Sequence, residues 1–313
     1  MMIPMTKRIV SGVLLLNKPQ GLSSHQALAK AKYLFKSAQF DSKKAGHTGT
    51  LDPMATGLLP ICFGEATKFS SFGLDADKGY TATIRLGVQT DTGDKEGQMI
   101  DTQPVPTFHH NALAEVASKL TGDILQTPPM YSALKKDGKK LYEYARQGLQ
   151  IERQARPIHI TSLTLDKLSD DEIALHVICS KGTYVRVLGE TVANLLGTVG
   201  HLTALHRTKT GGFDVANALS LDELENLAFD ERFDKLLPID ALLTHLPIVL
   251  LNESETKRIK MGQRLNIKDR IGELKFSEEV VQVRLYHNGR FVGLGQVEIT
   301  GRLQPMRVVH STL

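Results

Sequence analysis

The chain has 313 residues, of which 41% are apolar and 23% charged, with a net charge of +4. That describes a globular protein long enough for a large core and more than one domain, and no apolar run is long enough to cross a bilayer. Cys62 and Cys179 lie far apart in apolar runs without a CxxC partner, which reads as buried reduced thiols in a cytoplasmic protein, with no metal site.

In chain order, the N-terminal apolar patch is cut by Lys18 and Pro19 and no small-residue cleavage site follows, so a signal peptide is not expected. Residues 10–16 read as a strand. Ser23 or Ser24 then caps a helix with Ala27, Leu28, Ala31, Leu34 and Phe35 on one side. Residues 36–45 are polar and predict a loop. After AGHTGTLDPMAT come a buried strand, GLLPICFG, and a short helix, EATKFSSFG. KGYTATIRLGV alternates as a strand, with Tyr80, Ala82, Ile84 and Leu86 on one side. DTGDKEGQMI predicts a turn or loop.

A helix is expected over 109–120 and another over 141–147. An antiparallel strand pair is expected at 158–168 and 172–179, and a helix runs from Gly182 to Leu196. Residues 221–243 read as an acidic helical stretch. From Pro247 the texture changes to short strands with NG and TG turns, so we place a domain boundary near Leu246.

Charge is unevenly spread. Residues 1–47 carry eight Lys or Arg against one acid, and 220–240 carry seven acids against two bases. KKDGKK with Arg146, Arg153 and Arg156 forms a second basic cluster, and His201, His206, Arg207 and Lys209 a third. Such patches suit a polyanion, most simply nucleic acid, and equally suit solvated helix faces.

Three stretches hold material for chemistry. Pro53 pushes Asp52 into an extended conformation, leaving one carboxylate in a stretch otherwise neutral apart from His47. An Asp-Pro is more often a turn or cap. Burial would raise the Asp52 pKa, and an arginine partner would hold it ionised through paired hydrogen bonds. Arg186 in SKGTYVR suits that role, although spacing alone favours a surface arginine. Tyr80 could stack on a planar base or be a core tyrosine. His47 could be a base, an RNA contact or a loop stabiliser. Leu205 looks like core that doubles as a pocket wall. GHTG lacks the ending of a phosphate loop, and there is no GxSxG.

GVLLLNKPQGLSS, AGHTGTLDPMATGLLPICFGEATKF, DKGYTATIRLG and CSKGTYVRVL occur in this order. Together they resemble the bacterial tRNA pseudouridine-55 synthases, the TruB family, across essentially the whole catalytic region; the tail resembles that family's small RNA-binding PUA-type domain more weakly. The resemblance implies an α+β fold: a mixed, mostly antiparallel central sheet flanked by helices over residues 1–246, then a small β-rich, PUA-like module over 247–313. It implies isomerisation of uridine 55 in the T arm of tRNA on a flipped-out base, by a cytoplasmic monomer that needs no cofactor or metal. Asp52 matches the nucleophilic aspartate, Tyr80 the tyrosine that stacks on the uracil, and Arg186 the arginine that pairs with the aspartate. Tyr184 and Leu205 match residues lining the uridine pocket. His47 matches the histidine that enters the space left by the flipped base. The sequence departs from the pattern in a longer segment at 37–44 and in Asn17, where aspartate is common before Lys-Pro. The rival readings are a non-catalytic RNA-binding or RNA-folding protein and the pseudouridine synthase of guide-RNA particles.

Overall fold

The computed structural model describes residues 7–274, 276 and 278–310. The start of the N-terminal apolar patch and the last three residues of the expected C-terminal module lie outside them.

Nine strands form the main sheet: β1 (Gly12–Lys18), β2 (Ala45–His47), β3 (Thr56–Phe63), β4 (Lys78–Leu86), β5 (Gly122–Gln126), β6 (Arg156–Lys167), β7 (Glu172–Cys179), β8 (Gly200–Thr210) and β9 (Phe213–Asp214). Their order is β1-β3-β8-β4-β7-β6-β5, with β2 beside β3 and β9 beside β8. Only the β3–β8 pairing is parallel. That pairing is short, joining His206 and Arg207 to Thr56 and Gly57.

Sequence texture follows from what covers each strand. On β1 and β3, Leu14, Leu16, Leu59 and Ile61 sink into the main core, while Val13, Leu15, Leu58 and Cys62 pack under residues 237–242 on the other face. Strands buried on both faces read as unbroken apolar runs. On β4 and β7 one face only is sealed: Ala82, Ile84, Ile173, Leu175 and Val177 are buried, whereas Thr81, Thr83 and Ala174 are half-exposed. That is why those strands alternate.

Helix α1 (Ser24–Leu34) starts at the capping box of Ser23 and Gln26. The chain then runs through α2 (Ser70–Asp75), α3 (His110–Leu120), α4 (Leu141–Ala145) and α5 (Val185–Leu195), which lies across β8 and β4.

Four local expectations change. The loop expected over 36–45 ends early, as Ala45 joins Gly46 and His47 in a strand paired with β3. Met99 and Ile100 leave the loop expected over 91–100 and, with Asp101 and Thr102, form a hairpin with Val88–Thr90. The stretch 221–243 is no continuous helix: α6 (Leu221–Asn226) ends early and short 3-10 turns follow at Asp230–Lys235 and Ala241–Leu243. Leu237 exchanges backbone hydrogen bonds with Val13, and Pro238 follows, so the chain there is pulled out beside β1. The fourth is α7 (Glu253–Lys260), unforeseen, although Asn252 and Glu255 form a capping box at its start.

A second sheet holds β10 (Ile248–Leu250), β11 (Leu265–Asn266), β12 (Val280–His287), β13 (Arg290–Glu298) and β14 (Arg302–Val308), in the order β10-β12-β13-β14-β11. It has its own apolar core around Val283, Leu285, Val297 and Leu303. Phe69, Leu243, Leu294 and Val309 form a seam between the two sheets.

Candidate active site

The loop 48–55 enters β3, and buried polar side chains hold it from three sides. The Ser24 hydroxyl accepts from the Leu51 N–H at 2.7 Å and donates to its carbonyl at 3.0 Å. Lys18, fully buried, donates to the carbonyls of Pro19 and Leu22, with Pro53 at 3.5 Å. Arg207, also buried, donates to the carbonyls of Leu58 at 2.7 Å and Gly49 at 3.1 Å. Gly49 has φ +132° and Gly57 φ +102°, and a side chain on Gly57 would collide with the Arg207 backbone. The glycines therefore let the loop close onto β8.

This clamping presents Asp52, whose side chain is 36% exposed, to Arg186, whose side chain is 5% exposed. Arg186 Nε meets Asp52 Oδ2 at 2.9 Å. Arg186 is not the surface arginine that spacing favoured, because the start of α5 lies against the sheet. Gln126 sets that start, its side-chain amide accepting from Tyr184 N–H at 2.8 Å and donating to Tyr184 C=O at 3.1 Å.

The contact also differs from the expected paired one. It is single-armed, because Nη1 donates to the Thr92 carbonyl and Nη2 to the Tyr131 carbonyl. A second carboxylate, Asp94, stands 3.7 Å from Arg186 Nε, buried and held by Thr92 Oγ1 at 2.7 Å and Glu96 N–H at 3.0 Å. One guanidinium thus lies between two carboxylates. Burial raises the Asp52 pKa, Arg186 pulls it back, and Asp94 adds to the rise, leaving it above the ordinary aspartate value. The arginine therefore offsets the desolvation only in part.

The other expected residues gather here to different degrees. Tyr80, half-buried on β4, pairs in register with Arg207 and lies within electrostatic reach of Asp52, and burial raises its pKa. The Tyr184 phenol is raised by burial too, with Arg186 and Asp52 among its charged neighbours. Leu205 is buried and pairs with Ala82, on the Tyr80 side of the sheet. His47 stands at the end of β2. Burial and the charge of Arg207 lower its pKa, and its Nδ1 has no hydrogen-bond partner.

Sequence reasoning missed Asp94, Lys18 and Arg207. Asp94 sat in a stretch read as a turn, Lys18 in a strand-ending breaker and Arg207 in a basic cluster. Burial of a cation leaves no mark in charge patterning. Burial brings the Lys18 pKa down to about 8 and that of Lys78, caged by the Leu74 and Ala76 carbonyls, likewise to about 8.

Comparison with known proteins places the chain among the pseudouridine synthases. At the level of fold, the crystal structure of a Cbf5-Nop10-Gar1 complex superposes with TM-score 0.71 over 97% of this chain and 85% of that chain, at 22% identity. An H/ACA RNP bound to a substrate RNA containing 2′-deoxyuridine gives 0.72 over 97% and 86%, at 20% identity. In sequence, residues 37–185 match the TruB family pseudouridylate synthase N-terminal domain, 186–244 the tRNA pseudouridylate synthase B C-terminal domain, and 247–309 the pseudouridine synthase II TruB C-terminal domain. The chain is 50% identical to tRNA pseudouridine synthase B of Aromatoleum aromaticum, over 97% of this chain and 94% of that protein. It is 48% identical to that of Neisseria meningitidis serogroup B, over 97% and 96%. The chain belongs to the TruB family.

Proposed function

We propose that this protein isomerises uridine 55 in the T arm of tRNA to pseudouridine, with Asp52 as the nucleophile. The single observation that carries this reading is the Asp52–Arg186 contact, beside the buried cations Lys18 and Arg207; a protein that only holds RNA has no use for it. The family membership supplies the reaction class.

In this isomerisation the uracil leaves the ribose at N1, turns and rejoins through C5; the C5 proton passes to solvent and N1 takes one up. No atom is gained and no electrons are exchanged overall. The carboxylate can attack ribose C1′, attack the base, or remove a ribose proton, and each route needs an ionised oxygen facing the nucleoside. Arg186 fixes that oxygen. Tyr80 stacks on the base, and Tyr184 and Leu205 wall the space in which the free base turns. Three buried cations caged by carbonyls, Lys18, Lys78 and Arg207, set a positive potential that favours a detached pyrimidine anion and nearby phosphates.

The target sits within a folded arm and must be extruded, at a cost of a few kcal/mol. His47, held neutral and with a free ring nitrogen, fills the vacated space, and basic side chains grip phosphates. Residues 1–246 form the catalytic unit and 247–313 an RNA-binding module; the protein acts as a cytoplasmic monomer.

The test is tritium release from C5-labelled uridine in a tRNA transcript. Release of one equivalent is expected, and none when the T-arm uridine alone is replaced by cytidine. Release that persists in that control removes the site assignment.

A further inference from the structure

Arg186 gives its two terminal nitrogens to carbonyls from two separate stretches, those of Thr92 and Tyr131. The two stretches are held differently. Thr92 belongs to a turn fastened to the main sheet: Leu202 on β8 donates to the Gly93 carbonyl at 3.0 Å, and the Lys95 N–H donates to the Leu202 carbonyl at 2.9 Å. Within that turn, Asp91 Oδ1 accepts from the Gln98 N–H at 2.8 Å. Tyr131 lies near the start of the stretch between β5 and β6. The regular structure there is a hairpin of Lys135–Lys136 with Lys139–Lys140 and the short α4. That hairpin pairs with itself and with no strand of the main sheet among the described residues.

One side-chain contact bridges the two stretches. The Tyr131 phenol donates to Asp91 Oδ2 at 2.9 Å, and this bond to a carboxylate raises its pKa. Asp91 precedes Thr92 in the chain, so a ring closes. It runs from the guanidinium to the Thr92 carbonyl, through Asp91 to the Tyr131 hydroxyl, and from the Tyr131 carbonyl back to the guanidinium. Asp91 is exposed and Tyr131 half-buried. A polar contact in that setting adds little to global stability, and its effect falls on geometry instead.

We propose that Tyr131 and Asp91 are positioning residues, a strut that fixes the Tyr131 carbonyl and through it the direction in which Arg186 presents Nε to Asp52. A guanidinium is a rigid planar fork, so two anchored arms fix the third. Freeing the Tyr131 carbonyl lets the plane turn about the bond to Thr92. Nε can then swing from Asp52 Oδ2, now at 2.9 Å, toward Asp94 Oδ2, now at 3.7 Å. The strut thus decides which of two carboxylates the arginine serves.

The inference rests on the Asp52–Arg186 reading above. Tyr131→Phe removes one hydroxyl and keeps the ring and the carbonyl. Single-turnover tritium release should fall about five- to tenfold, with tRNA affinity within about twofold of wild type. The rate profile supplies a readout that a merely structural lesion would not move. Asp52 is faced by Arg186, Asp94 and Lys18, with the Tyr80 and Tyr184 phenols nearby, and Arg186 is the stronger of the two cations that pull its pKa down. A slackened Arg186 lets that pKa rise, so the acid limb should move to higher pH. Asp91→Ala should reproduce both effects, and adding Tyr131→Phe to it should lower the rate no further. A wild-type rate in Tyr131→Phe, a slower rate with the acid limb unmoved, or additive losses in the double variant each overturn the strut. Should either variant melt below wild type, the acid limb and the double variant still decide. Failure of the underlying reading shows separately, as Asp52→Asn turning over at the wild-type rate.

Discussion

The Asp52 loop and the C-terminal sheet are built on opposite principles. Around Asp52, ionic groups are buried: Lys18, Lys78 and Arg207 are dehydrated and satisfied by backbone carbonyls, and Arg186 is shared between two carboxylates. In the C-terminal sheet the core cluster is apolar, a charged pair such as Arg270–Glu255 lies partly open to solvent, and the buried pair Arg284–Asp240 sits outside that core, against residues 240–246. Dehydrating a cation costs free energy that carbonyls return only in part. The first region therefore accepts a stability cost to hold one carboxylate in a set direction with a raised pKa. The second is under no such demand at its core, which hydrophobic burial accounts for.

Arg186→Lys should break this contrast most sharply. A lysine reaches one partner and strands the carbonyls of Thr92 and Tyr131, each loss costing about 1–3 kcal/mol. Single-turnover tritium release should fall by about 10²–10³-fold, and near-wild-type turnover would take the guanidinium out of the site. Asp94→Asn should act next, with a fall of roughly 10–100-fold as Arg186 loses its second anchor. It also carries a pH signature. Asp94 raises the Asp52 pKa, so its removal should move the acid limb of the rate profile to lower pH; a limb that stays in place would mean the two carboxylates do not interact.

Raising salt should weaken tRNA binding, with a log–log slope of about −0.7 per phosphate contact for single-stranded regions. A flat titration would remove the electrostatic half of recognition. Leu285→Ala, in the apolar core of the second sheet, should lower the stability of that sheet by about 2–5 kcal/mol in a denaturant melt. Turnover on the T-arm hairpin should stay unchanged. A parallel loss of hairpin turnover would show that the two regions are not independent.

Much of the fold was legible because local pattern and burial agree. The alternation in β4 and β7, the apolar runs of β1 and β3 and the Ser23 cap all state what covers them. Residues 221–243 misled because helical propensity lost to the pairing of Leu237 with Val13, a contact 224 positions apart in sequence. The candidate site was legible through Asp52 and Arg186, whose motifs carry the family pattern. Asp94 was not, because a turn-forming aspartate and a charge buried against an arginine look alike in sequence. The single-armed contact was hidden for the same kind of reason: the carbonyls of Thr92 and Tyr131 compete for the guanidinium, and backbone acceptors leave no trace in residue identity.

The most direct trial of the account is Asp52→Asn, assayed side by side for tritium release from C5 and for tRNA affinity. The swap keeps size and one accepting oxygen for Arg186 but removes the charge. Turnover should drop below detection while affinity stays within about twofold of wild type. An asparagine variant that still isomerises uridine, or one that loses binding in proportion to turnover, would contradict the assignment of this carboxylate to the chemistry.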